Sequence, residues 1–76
     1  GYERRSFMNL KITFFDKEKK EPGDFINIKI SYDEAQEISK SVNGDYMKEK
    51  FNCITDEDGN VHNVNIEDIY SFEIQK

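Results

Sequence analysis

One cysteine, one histidine, one proline and no tryptophan occur among 76 residues. With Cys53 alone no internal disulfide forms, and with His62 alone no Cys/His set can hold structural zinc. Both arginines, Arg4 and Arg5, lie in the first seven residues, and every other basic residue is lysine. The four glycines, Gly1, Gly23, Gly44 and Gly59, stand apart, so no glycine-rich phosphate loop exists. No apolar run approaches the ~20 residues of a membrane helix, and no signal-like pattern opens the chain. These absences direct the expectation to a cytoplasmic protein without metal or cofactor and away from the membrane.

What is present is charge. Sixteen acidic residues oppose eleven basic ones for a net charge of −5, and charged and hydrophobic residues each make up 36%. A chain this short builds only a small core, with little stability to hold a deep catalytic cleft. The negative total opposes long-range attraction to nucleic acid, although a local basic patch survives such a balance. Lys, Ile, Asn and Glu supply 34 residues, a bias that fits low-GC coding in a bacterium or phage.

The pattern predicts an α+β domain over residues 8–76, a mainly antiparallel sheet with one covering helix in the order β-β-α-β-β-β. Residues 1–7 are expected to be a flexible or appended extension, with the periodic segment opening at Met8. Met8, Leu10, Ile12 and Phe14 alternate with polar residues, as do Ile26, Ile28 and Ile30, and the charged DKEKKEPGD stretch between them reads as a hairpin connection. Ser31 and Glu34 match a capping box, with Glu34 reaching back to the cap and Ile30 stapling on Ala35. Ala35, Ile38 and Val42 follow at helical spacing, and Gly44 is placed to take the chain out of the helix. Phe51, Cys53 and Thr55 read as a strand with a buried Cys53 thiol, followed by the Asp58-Gly59 turn and a strand over Val61 to Ile66. Ile66 and Ile69 bracket one helical turn, and Tyr70, Phe72 and Ile74 form the closing strand.

Chemistry finds little support in the residues. Aligning Gly59 with the glycine of a calcium loop puts Ile54 and Asn65 at the two end ligand positions, so the Asp-rich segment reads as a hairpin turn. Cys53 and His62 lack an assigned carboxylate and oxyanion donors, so a nucleophile pair is not expected.

The strand phases put Asn9, Lys11, Thr13, Asn27, Lys29, Lys50, Asn52, Asn63, Asn65, Ser71, Glu73 and Gln75 on the uncovered sheet face. The acidic residues Asp33, Glu34, Glu37, Asp56, Glu57 and Asp58 fall on the helix or a turn. Two candidate partner-binding sets follow: Lys11, Asn27, Lys29 and Asn63 on the face, and Glu34, Glu37 and Asp58 on the acidic side. The expected function is a small non-catalytic protein-interaction or regulatory module, with a homodimer as one form of association. The alternatives are single-stranded nucleic acid on the Asn/Lys face, or an acidic nucleic-acid mimic that inhibits a basic partner. A plain solvated face is the competing explanation for the Asn and Lys residues.

Overall fold

A computed structural model describes residues 7–41 and 44–75. Two long strands, β1 (Phe7–Asp16) and β2 (Glu21–Ser31), lead into helices α1 (Tyr32–Lys40) and α2 (Gly44–Phe51). Two short strands, β3 (Ile54–Thr55) and β4 (Val61–His62), a 3-10 turn (Ile66–Asp68) and β5 (Ile69–Gln75) complete the chain. The main sheet is antiparallel in the order β2-β1-β5, and β3 and β4 form a separate hairpin. This is the expected α+β arrangement with one helix more. No helix of the described residues is long and apolar enough to cross a membrane.

Alternation builds the sheet. Leu10 opposes Ile28 on one side and Ile74 on the other, and Ile12 opposes Ile26 and Phe72, so one face is apolar across all three strands. Leu10, Ile12, Ile28 and Ile30 are buried with Ala35 and Ile38 of α1, Met47 and Phe51 of α2, and Ile54 and Val64. Phe7 opposes Ser31, so among the described residues the sheet begins one residue before Met8, and Phe7 is a strand residue and not flexible. The expectation for residues 1–6 lies outside the described residues, as does that for Val42.

The Ser31 half of the capping box forms, its hydroxyl accepting from the Glu34 N–H at 3.1 Å. The Glu34 half does not: that carboxylate accepts from Lys50 Nζ and from the Thr55 N–H, each at 2.7 Å. Helix α1 ends at Ser41, whose N–H reaches the Glu37 and Ile38 carbonyls, and Gly44 opens α2 instead of closing α1.

The largest departure is α2. The alternation beginning at Phe51 suggested a strand, but Met47, Phe51 and Ile54 recur at intervals of four and three and are all buried. That spacing puts Met47 and Phe51 on one helical stripe against the sheet, and tertiary burial decides between the two periods. The Asn52 and Cys53 N–H groups then bond the Glu49 and Lys50 carbonyls in a closing turn. Cys53 is therefore exposed, not buried on an apolar face. The strand expected over Val61 to Ile66 is cut to two residues, after which the Val64 N–H bonds the Phe51 carbonyl at 2.8 Å.

Candidate interaction surface

Both helices pack on the Leu10–Ile12 side of the sheet, so the opposite face is a grid set by strand register. Lys29, Asn9 and Gln75 form one row, Asn27, Lys11 and Glu73 the next, and Phe25, Thr13 and Ser71 the third. Eight of these nine are residues the alternation assigned to the face, and Phe25 completes the third row. Lys50, Asn52, Asn63 and Asn65 are elsewhere: Lys50 in α2, Asn52 in the turn after it, Asn63 beyond β4 and Asn65 capping the 3-10 turn. Those four assignments assumed long strands on both sides of the Asp-Gly turn, which α2 and the short hairpin replace.

Asn9 bridges the three strands. Its Nδ2 donates to Asn27 Oδ1 at 2.8 Å and to Gln75 Oε1 at 3.4 Å. Lys11 Nζ sits 4.6 Å from the centre of the Phe25 ring, a cation–π contact, and its row neighbour is Glu73. Lys29 Nζ lies 3.7 Å from Glu57. The sequence placed three lysines against one glutamate here. The structure places two lysines, Lys29 paired with Glu57 and Lys11 in the same row as Glu73, so the basic excess is smaller than the sequence implied.

Past Thr13 the register slips against both neighbours. Phe14 packs toward the core, which turns Phe15 to the open side, where its ring stacks on Tyr70 with centroids 6.2 Å apart and 7° between planes. Phe15, Phe25 and Tyr70 remain 36%, 54% and 53% exposed. Phe15 was legible as the next residue in the outward phase after Thr13. Tyr70 was not, because its place depends on the slip.

The acidic set is divided. Glu34 is bound by Lys50 in a part-buried ion pair and by the Thr55 N–H in an exposed hydrogen bond, which together tie α1 to α2 and β3. Glu37 is exposed beside a shallow depression of about 380 Å³ that Asp33, Glu34, Lys40 and Asp56 also line. Asp58 lies in the β3–β4 turn, where its N–H donates to Asp56 Oδ1 at 2.9 Å. The partner of His62 is Asp56, with Nε2 to Oδ2 at 2.7 Å. The hydrogen bond from His62 holds the Asp56 carboxyl below the usual carboxylate range; burial opposes it, and the Asn60 and Asp58 N–H groups assist. Asp56 thus organises a turn, and its oxygens are occupied by the protein itself. No protein-family model, curated protein or solved structure matches this chain.

Proposed function

We propose that the chain is a small non-catalytic interaction module whose open sheet face receives a protein partner. The observation that carries the reading is the exposure of Phe15, Phe25 and Tyr70 on a face where Lys29 is paired with Glu57 and Lys11 is seated on the Phe25 ring. Exposed aromatic rings among satisfied polar groups suit the centre of a protein interface, whereas a polyanion is held by lysines free to meet phosphates. Work in the reducing cytoplasm suits the exposed Cys53 thiol.

The same rings favour a second reading, base stacking of single-stranded nucleic acid. The acidic-mimic reading is weakened, since Glu34 is engaged internally and Glu37 and Asp58 sit on separate elements. Affinity capture from the native host separates these readings when run with the unaltered chain, Phe25→Ser, and Lys11→Glu with Lys29→Glu. A protein recovered with the unaltered chain and lost with Phe25→Ser supports the proposal. Recovery of nucleic acid, lost with the lysine pair and falling steeply with salt, overturns it.

A further inference from the structure

The two edges of the main sheet are unlike. The Lys29 carbonyl accepts from the Glu57 N–H at 2.9 Å, so the backbone groups of Lys29 point away from β1 and the carbonyl is already covered. Farther along β2 the register slips between Phe25 and Pro22, and Pro22 offers no N–H. That edge is blunted at both ends. Alternation from Lys29 directs the Asn9 backbone toward β5, where Gln75, Glu73 and Ser71 bond β1. The N–H and C=O groups of Phe72 and Ile74 then face outward, and no backbone hydrogen bond from another described element reaches them. Neither residue carries a charge, and Phe72, edge-on to Phe51 at 5.1 Å, is still 37% exposed.

We propose that this edge pairs antiparallel with β5 of a second copy about a two-fold axis at Phe72, joining two three-stranded sheets into one of six strands. Two other registers on the same edge are poorer. An axis at Glu73 sets two carboxylates directly opposite each other, about 4.5 Å apart between Cα atoms, and an axis at Ile74 confines the overlap to the strand's last residues. With the axis at Phe72, the Ser71 hydroxyl faces the Glu73 carboxylate of the second copy, and the two Phe72 rings meet beside both Phe51 rings. The apolar layers then become continuous, and a small core gains stability from the association. This pairing does not depend on the protein-partner reading of the open face, which Phe25→Ser tests without altering the β5 edge.

Sedimentation equilibrium from low to high micromolar concentration tests the proposal on the full chain. The unaltered protein is expected to dimerise. Ser71→Glu, an exposed position brought opposite Glu73 of the second copy, weakens association at least tenfold, and Ser71→Lys preserves or tightens it. Asn60→Glu, the same charge change in the β3–β4 turn, leaves association unchanged, and circular dichroism verifies that each variant is folded. An unaltered chain that stays monomeric overturns the proposal and leaves the edge to an extended segment of another protein. Equal dissociation of Ser71→Glu and Ser71→Lys, or of Ser71→Glu and Asn60→Glu, also overturns it.

Discussion

Gly59 and Lys20 are the two described residues with left-handed backbone, at φ 85° and 56°, and they should answer substitution in opposite directions. A Cβ at Gly59 meets nothing within 4 Å, so Gly59→Ala adds only the backbone penalty, about 1 to 2 kcal/mol of lost stability. Lys20 already bears that penalty, so Lys20→Gly should raise stability by about 0.5 to 1 kcal/mol in urea unfolding. Ser31→Ala should cost about 1 kcal/mol through the lost cap, while Ile28→Ala in the core should cost about 2 to 5 kcal/mol. Asp56 contributes a pH dependence of definite sign. Its carboxyl titrates lower in the folded chain than in the unfolded one, so its contribution is fully present above the ordinary carboxylate pKa and is lost as pH falls toward the folded value. Acid titration of unfolding should therefore show a shallower loss for Asp56→Asn than for the unaltered chain.

Between elements, Glu34 is the joint with the largest consequence. One carboxylate holds Lys50 of α2 and the Thr55 N–H of β3 while the backbone N–H of Glu34 donates to the Ser31 cap of α1. Glu34→Ala should cost about 1 to 3 kcal/mol, because Lys50 loses its acceptor in a part-buried place and the Thr55 N–H loses its own. Lys48 with Glu67 is an exposed pair by contrast, and Lys48→Ala should move the urea midpoint little. The joint was illegible in the sequence, since a capping box explains Glu34 with local residues alone. The three long strands, α1 and the 3-10 turn were legible because their periodicity is carried by local runs and a cap. Helix α2 was not: its stripe is interrupted by charged residues, and Phe51 to Thr55 fits a period of two as well as a turn at a helix end. The open face followed from phase for its three long strands and failed for Lys50, Asn52, Asn63 and Asn65, whose elements were assigned wrongly or too long.

The structure measures 48 by 23 by 19 Å, and the turn end of the β1–β2 hairpin contributes no residue to the buried cluster. Hydrogen exchange should accordingly protect the Leu10 and Ile28 amides far more than those around Lys17 to Lys20. The place of β1 between its neighbours also sets an order of events. Its pairing with β2 closes a short connection, Lys17 to Lys20, whereas its pairing with β5 joins Asn9 to Gln75, nearly the full length of the chain. Closing the longer loop requires more of the chain's freedom to be surrendered before any contact rewards it. The hairpin is then the nucleus and β5 the late arrival. Ile28→Ala should slow refolding, while Ile74→Ala should mainly speed unfolding, and until β5 arrives the central strand has one side open to whatever extended chain reaches it first.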